Sequence, residues 1–201
     1  MLEEKVYKKI KYYTYSLDNK KDLPVILHIH GAGSRGDDLQ IAIDGNPLLR
    51  FAKTQQDFPF KIIAPQCYAD TWFDIYEQLN DFIDFVMENE VADKKQVSLT
   101  GISMGGYTAW QLLMSRPTTF KKAIICCGGG MYWNAERIQV PVRAFHGKLD
   151  DDVFYEESVK MANVANKHRK LVDLTLYEDL GHNCWDRAYS DMDNYKWLLE
   201  D

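Results

Sequence analysis

The sequence predicts an α/β fold with a mostly parallel central sheet and helices on both of its faces. Short apolar runs alternate with segments of helical periodicity along the chain, which is typical of strand–helix–strand units. Several runs lack the polar alternation of a half-exposed strand, so we expect them to be buried on both sides. Ligand sites of such sheets lie beyond the carboxyl ends of the strands.

Seven segments are predicted as strands by apolar runs bounded by Gly or Pro. The segment Val6–Leu17 alternates apolar residues with lysines and predicts one or two exposed antiparallel strands. The other predicted strands are Pro24–His30, Phe60–Ala64, Val97–Ile102, Ala123–Cys127, Val142–His146 and Leu171–Tyr177.

Five segments are predicted as helices. Apolar residues in Ile75–Val91 recur at spacings of three and four, which indicates an amphipathic helix with its apolar stripe on the core. Pro47 lies in the first turn of the predicted helix Asn46–Thr54, a position that proline favours. The remaining predicted helices are Tyr107–Ser115, Val153–His168 and Tyr195–Leu199.

The length and net charge of the chain limit the classes of protein to which it could belong. A chain of 201 residues is long enough for one well-buried core, so we expect a single domain over residues 1–201. Its net charge of −6 disfavours nucleic acid as a partner. No apolar run has the length of a membrane span, and the N-terminus does not resemble a signal peptide, so we expect a cytoplasmic protein.

The four cysteines do not have the spacing of a disulfide framework or a zinc site. Two of them lie inside an apolar run, where free thiols behave as small hydrophobic groups. We therefore expect free cysteines, no metal and no cofactor. The four are Cys67, Cys126, Cys127 and Cys184.

A Gly-x-Ser-x-Gly sequence lies between the predicted strand Val97–Ile102 and a predicted helix. Strand, sharp turn and helix are the context of a nucleophile elbow, which strains the backbone of its central residue. Gly101 and Gly105 leave space for the turn, and Ser103 would project its hydroxyl at the helix N-terminus. Ser103 is therefore the candidate nucleophile.

A serine needs a base, and the base needs an acid that fixes its tautomer. Of five histidines, only His182 follows the last predicted strand in a loop, and it is the candidate base rather than a surface histidine. His146 ends a strand and is interpreted as structural. Asp150 is the first acid after that strand and the candidate triad acid, with Asp152 second and Asp179 a weak third.

Backbone N–H groups are needed where negative charge develops on the attacked carbonyl oxygen. Met104, directly after Ser103, offers one at the start of a helix. The small residues of Gly31-Ala32-Gly33 let the backbone approach a ligand, and Ala32 is the candidate second donor. A phosphate-binding loop is the alternative for these glycines, but the Lys-Ser/Thr ending of a P-loop is missing.

Aromatic residues follow several strand ends and are candidates to contact substrate, although core packing is the usual fate of such side chains. The candidate substrate-binding residues are Trp72, Tyr132, Trp133 and Trp185. Arg35 is interpreted as paired with Asp37 or Asp38, with a substrate carboxylate as the alternative.

Six sequence blocks in order, from about residue 25 to the C-terminus, resemble the serine α/β-hydrolases. The resemblance is to the phospholipase/carboxylesterase and dienelactone-hydrolase-like branch, above all to small esterases labelled predicted peptidases. The blocks are L-H-I-H-G-A-G-S-R-G-D-D, A-P-Q-C, T-G-I-S-M-G-G, C-G-G-G, F-H-G-x-x-D and G-H-N-C-W-D.

The resemblance implies an α/β-hydrolase fold with Ser103, Asp150 and His182 as the triad and Ala32 and Met104 as oxyanion donors. Dienelactone hydrolases proper use a cysteine nucleophile, and the serine here departs from that pattern. No segment is long enough for a large lid, so we expect an open site for small acyl groups.

The expected function is hydrolysis of a small carboxylic ester through an acyl-enzyme. Thioesterase, peptidase and acyltransferase activities would use the same residues. A non-catalytic ligand-binding protein of the same fold is the alternative from another class.

Overall fold

Eight strands form one sheet in the computed structural model, which describes residues 1–17 and 22–200. The strands are β1 (Leu2–Tyr7), β2 (Ile10–Tyr15), β3 (Val25–Ile29), β4 (Lys61–Pro65), β5 (Val97–Ile102), β6 (Ala123–Cys126), β7 (Val142–Gly147) and β8 (Val172–Tyr177). Their order is β1-β2-β4-β3-β5-β6-β7-β8. All neighbours from β4 to β8 pair in parallel, whereas β1 and β2 are antiparallel additions at one edge.

The helices connect the strands, as the alternating pattern predicts. They are α1 (Leu39–Asp44), α2 (Pro47–Thr54), α3 (Tyr76–Asn89), α4 (Met104–Ser115), α5 (Glu156–Ala165), α6 (Trp185–Ser190) and α7 (Met192–Leu199). Short 3-10 turns lie at Ala32–Ser34, Lys94–Gln96 and Tyr132–Arg137.

Alternate residues of β3 face opposite sides of the sheet, and both sides are buried. Val25 and Leu27 pack with α3, α4 and α5 in one core cluster. Ile26 packs with α1, α2, α6 and α7 in the other. The prediction of a mostly parallel sheet with helices on both faces is confirmed.

The exposure predicted for the N-terminal strands is wrong for β2. Tyr12 and Tyr13 on this strand are almost fully buried. The reason is that β2 lies between β1 and β4 rather than at the edge, so the sheet and its helices cover it on both sides.

The predicted start of one helix is wrong, and two short helices were not predicted. Helix α5 begins only at Glu156, because the backbone N–H groups of Asp152 and Val153 turn toward the Asp150 carboxylate instead of starting a helix. The short helices α1 and α6 were not predicted, since each is only six residues long and offers little periodicity.

The carboxyl ends of the parallel strands lie along one edge of the sheet and carry the predicted site. The connection between β6 and β7 holds only the 3-10 turn Tyr132–Arg137, so no lid lies there. Among the described residues, no helix combines the length and apolar character needed to cross a membrane.

Candidate active site

Ser103 lies at a sharp turn between β5 and α4. Its backbone has φ 52° and ψ −120°, a conformation that non-glycine residues rarely adopt. Its N–H donates to the carbonyl oxygen of Cys126 at 3.0 Å, and its own carbonyl oxygen accepts from Tyr107 N–H, which starts the helix. The predicted strand–turn–helix context of Ser103 is confirmed.

Two glycines make this turn sterically possible. A Cβ on Gly101 would overlap the carbonyl oxygen of Gly105, and a Cβ on Gly105 would overlap the carbonyl oxygen of Ile29. Both obstacles are backbone atoms that cannot move aside. The absence of side chains at these positions therefore fixes α4 against β3 and with it the position of Ser103.

The side chains of Ser103, His182 and Asp150 form a continuous hydrogen-bond chain. The Ser103 hydroxyl donates to His182 Nε2 at 2.9 Å, and His182 Nδ1 donates to Asp150 Oδ2 at 2.8 Å. The Asp150 side chain is fully buried, whereas the His182 side chain remains 20% exposed. The structure thus brings together three residues that the chain separates by as many as 79 positions.

The loop that carries His182 is fixed to the end of β7. Leu149 N–H donates to the carbonyl oxygen of Leu180 at 2.9 Å. A Cβ on Gly147 would overlap the carbonyl oxygen of Gly181, so the two loops pack backbone against backbone at this point. This contact places the predicted base beside the predicted acid.

Asp150 accepts four hydrogen bonds. Its Oδ1 accepts from the backbone N–H groups of Asp152 at 3.0 Å and Val153 at 2.9 Å. Its Oδ2 accepts from His182 and, at 3.1 Å, from His146 Nε2. By contrast, Asp179 pairs with Arg187 at the surface, so it does not compete for the base.

The glycine-rich loop after β3 lies directly beside the turn. A Cβ on Gly31 would be 3.4 Å from the Ser103 Cβ. Ala32 and Met104 are each the first residue of a helical turn, and neither N–H donates a backbone hydrogen bond within the described chain. Both predicted oxyanion donors are therefore available beside Ser103.

Hydrogen bonds of the buried His30 side chain hold this loop in place. Its Nδ1 donates to the carbonyl oxygen of Gly31 at 2.6 Å, and its Nε2 accepts from Cys67 N–H at 2.9 Å. Burial lowers the pKa of His30 to about 4, so its ring is neutral at pH 7, as one donating and one accepting nitrogen require.

An open cleft of about 590 Å³ lies in front of Ser103. Among the described residues that line it, the only ionisable side chains are the His182 imidazole and the Asp152 carboxylate, and none is Lys or Arg. The lining residues beside Ser103 and His182 are Ala32, Ile102, Asp152, Val153 and Trp185, with four small residues. Arg35 donates to the carbonyl oxygens of Ala32 and Asp70 rather than to Asp37 or Asp38, so the pairing expected from the sequence is wrong. Its binding of a substrate carboxylate stays the untested alternative.

The four candidate aromatic residues lie in different surroundings. Trp185 lines the cleft and meets the His182 ring edge-on, at 5.3 Å between centroids. Tyr132 and Trp133 are exposed and pack on each other outside the cleft lining. The prediction for Trp72 is wrong, because Trp72 is fully buried and donates to the carbonyl oxygen of His30.

Sequence reasoning missed the contacts of His146 and Val153 with Asp150, whereas Asp152, the second candidate for the acid, binds Asp150 through its backbone N–H. Only the spacing of four residues between His146 and Asp150 hints at their contact. The signal in the sequence was the F-H-G-x-x-D block itself, which places a histidine directly before the turn that carries the acid.

Cys127, Asp150 and His182 each offer a metal-ligating atom, all within 4.8 Å of one another. Both ring nitrogens of His182 and both carboxylate oxygens of Asp150 already take part in hydrogen bonds. Burial raises the pKa of the Cys127 thiol and so disfavours the thiolate that a metal would need. The described cysteines are all free and buried, as expected, and the independence from metals stays a prediction.

Comparisons with proteins of known structure find the same fold in esterases and a peptidase. The chain is similar over 99% of its length to a thermostable esterase of known structure, with 25% identity and a TM-score of 0.83, and spans 62% of that protein. It is similar to Est1E from Butyrivibrio proteoclasticus, with 14% identity, a TM-score of 0.71 and coverage of 98% and 99% of the two chains. The acylaminoacyl peptidase of Pyrococcus horikoshii is 16% identical, with a TM-score of 0.65, and the match covers 94% of this chain and 38% of that one.

A search of curated proteins finds no match. The model of the dienelactone hydrolase family matches residues 54–196, which include the turn at Ser103 and the loops of Asp150 and His182. The match spans well over half of the chain. The chain therefore belongs to the dienelactone hydrolase family and has the fold of the serine α/β-hydrolases.

Proposed function

We propose that this protein hydrolyses small carboxylic esters through an acyl-enzyme on Ser103. The observation that carries the proposal is the hydrogen-bond chain from the Ser103 hydroxyl through His182 to Asp150, with contacts of 2.9 and 2.8 Å. These contacts lie within the range expected of a nucleophile, its base and an orienting acid.

In the first half of the reaction, Ser103 Oγ attacks the ester carbonyl carbon while His182 Nε2 takes the hydroxyl proton. The buried Asp150 carboxylate keeps the proton of His182 on Nδ1 and stabilises the imidazolium. The tetrahedral intermediate collapses, the C–O bond to the alcohol breaks, and His182 gives its proton to the leaving alkoxide.

In the second half, water attacks the acyl-enzyme and His182 acts as base again. The carboxylic acid leaves, and the proton returns to Ser103 Oγ. In both halves the N–H groups of Ala32 and Met104 would donate to the oxyanion, and loss of one such donor typically lowers turnover by about 100-fold to 1000-fold.

The cleft supports a small and uncharged or cationic ester as substrate. It is open, and no lid lies over it that would enclose a long acyl chain. The Asp152 carboxylate in its lining would repel an ester that carries a negative charge elsewhere in the molecule. None of the described residues in this lining has a cationic side chain that would pair with a substrate carboxylate.

The proposal is tested with a fluorophosphonate probe, which labels only an activated serine. We expect one equivalent of label on the wild type and none on Ser103→Ala. Ser190→Ala, which removes an exposed serine that bonds only to Arg187, is the matched control and should label fully. Absence of label on the folded wild type would favour the non-catalytic ligand-binding alternative.

The bond class is tested with a panel of substrates. We expect p-nitrophenyl acetate and butyrate to be cleaved faster than the palmitate, and esters faster than thioesters or aminoacyl amides. A rate that rises toward long chains would contradict the open cleft. Transfer of the acyl group to an added alcohol at the expense of hydrolysis would identify an acyltransferase instead.

A further inference from the structure

Ser34 presents a largely buried hydroxyl to the cleft. It ends the 3-10 turn Ala32–Ser34 and is only 7% exposed. Its N–H donates to the carbonyl oxygen of Gly31 at 3.2 Å, and its carbonyl oxygen accepts from Gln66 Nε2 at 3.1 Å. Its hydroxyl, by contrast, makes no hydrogen bond to any residue that the structure describes.

The open side of this hydroxyl faces the cleft. Ser34 is one of the residues that line the cleft, and its Oγ is not among the described polar atoms that are sealed from solvent without a partner. A serine hydroxyl both donates and accepts a hydrogen bond, and burial of such a group without a partner is unfavourable. An alanine, like the neighbouring Ala32, would avoid this cost. A group that enters through the cleft would instead satisfy the hydroxyl.

Gly45 keeps the hydroxyl uncovered. It follows the last residue of α1 and has φ −76°, a conformation that every residue type adopts, so its backbone does not require glycine. A Cβ at this position would lie 2.7 Å from Ser34 Oγ, whereas the carbonyl oxygen of Ile41 would be 3.0 Å away. Glycine thus leaves a small recess beside the Ser34 hydroxyl, and both residues line the cleft.

The recess lies on the same turn as one proposed oxyanion donor. A 3-10 helix rises about 2 Å per residue, so Ser34 lies about 4 Å along the turn from Ala32. A substrate group close to the ester carbonyl, on either its acyl or its alcohol side, is therefore within reach of the hydroxyl. In the described lining, Ser34 carries the only hydroxyl besides that of Ser103.

We propose that Ser34 and Gly45 form a subsite for a neutral hydroxyl group of the substrate, so that hydroxylated small esters are preferred over alkyl esters of the same shape. The consequence for turnover rests on the proposed ester hydrolysis. Water can satisfy Ser34 in the free protein. A substrate hydroxyl reproduces that hydrogen bond, whereas a methyl group displaces the water without replacing its bond. A carboxylate would be repelled by Asp152 in the same lining, so the bound group is neutral.

Pairs of esters in which a hydroxyl replaces a methyl group test the subsite. Methyl 3-hydroxybutyrate and methyl 3-methylbutyrate differ in this way on the acyl side, and 2-hydroxyethyl butyrate and propyl butyrate on the alcohol side. We expect Ser34→Ala to lower the ratio of kcat/KM between the hydroxylated and the methylated ester by about threefold to tenfold in one of the two pairs. The pair that responds identifies the side of the substrate that the subsite binds.

Gly45→Ala provides an independent check. Its methyl group covers the Ser34 hydroxyl, so it should lower the same ratio, with no further decrease when it is combined with Ser34→Ala. Ser190→Ala, which removes an exposed serine, is the matched control and should keep the ratio of the wild type. An unchanged ratio in Ser34→Ala for both pairs, even with lower activity on all four esters, would show a merely structural role and overturn the proposal.

A binding measurement separates failure of this proposal from failure of the proposed function. In Ser103→Ala no acyl-enzyme can form, and ligand-observed NMR gives the dissociation constants of the same four esters. The preference for the hydroxylated ester should fall by about threefold to tenfold when Ser34→Ala is added. An unchanged preference would overturn the subsite even in an active esterase. A decrease in a protein that cleaves no ester would support the subsite and reject the proposed hydrolysis.

Discussion

Gly105 lies so close to the carbonyl oxygen of Ile29 that no Cβ fits between them. The contact joins the first turn of α4 to the end of β3, and the oxygen belongs to a strand that pairs on both sides. The carbonyl oxygen of Ile29 cannot shift without disturbing the pairing of β3. Because Ser103 is two residues earlier, the position of its hydroxyl depends on this contact.

We therefore expect Gly105→Ala to lower the free energy of unfolding by about 2–3 kcal/mol and to abolish activity in the folded fraction. The measurement is urea denaturation together with active-site labelling of the remaining native protein. Gly33→Ala is the folding control, since a Cβ there meets nothing within 4 Å, and its stability should change by less than about 0.5 kcal/mol. Equal stability of the two variants would show that α4 adapts to the added methyl group.

Local patterns predicted the parts of the fold that depend on neighbouring residues. The strand at Val97–Ile102 has the predicted bounds, and the helix capped by Asn46 begins at the predicted proline. The turn at Ser103 and the strand end before Asp150, which carry the proposed nucleophile and acid, were predictable because they are local features.

Features that depend on contacts distant in sequence were not predictable. Burial of β2 follows from its pairing with β4, which lies some 50 residues further along. Trp72 follows a strand end like the other aromatic residues, yet it turns into the core. The contact of His146 with Asp150 depends on the turn between them, and hydrophobic periodicity carries no information on that turn.

Trp185 supports the ring of His182. Its indole packs edge-on against the imidazole and lines the cleft. Removal of such a contact costs about 0.5–1.5 kcal/mol, so Trp185→Ala should lower kcat/KM for p-nitrophenyl acetate roughly twofold to tenfold.

Trp133→Ala is the matched control for this variant. Trp133 is 63% exposed and does not line the cleft, so kcat/KM should stay the same. A loss of activity in Trp133→Ala comparable with that in Trp185→Ala would show that the aromatic pair of Tyr132 and Trp133 contacts substrate, as the sequence suggested.

Asp152 gives the cleft its negative charge. Its backbone N–H holds Asp150, so a side-chain substitution leaves that hydrogen bond in place. Three acetate esters with the same acyl group measure the charge effect: phenyl acetate, the anionic 4-acetoxybenzoate and the cationic 4-acetoxyphenyl-trimethylammonium. We expect Asp152→Asn to raise kcat/KM for the anionic ester relative to the cationic one by about threefold to tenfold, and Asp152→Lys to raise it further.

The comparison between variants cancels the different leaving-group reactivities of the three esters. Asp151→Asn is the matched control, because Asp151 is an exposed neighbour that does not line the cleft. If Asp151→Asn and Asp152→Asn change the ratio equally, the effect comes from net charge and the lining carboxylate does not select the substrate.

Two buried histidines should make the protein sensitive to acid. Burial lowers the pKa of His28 to about 3 and that of His30 to about 4, well below the ordinary value of 6.5. Below pH 6.5 the unfolded chain therefore binds protons that the folded chain does not. The free energy of unfolding should fall as the pH drops from about 6.5 toward 4, with a slope of up to about 2.7 kcal/mol per pH unit for two protons.

Urea denaturation at pH values between 7 and 4.5 measures this slope. His28→Gln keeps a polar partner for Thr100 but removes one titrating group, so the slope should decrease by about 1.4 kcal/mol per pH unit. His168→Gln is the control, because the His168 side chain is 70% exposed and is therefore not buried on folding. If His28→Gln keeps the slope of the wild type, the acid sensitivity has another origin, since only a group that is shielded in the folded state and titrates in the unfolded one contributes protons to this transition.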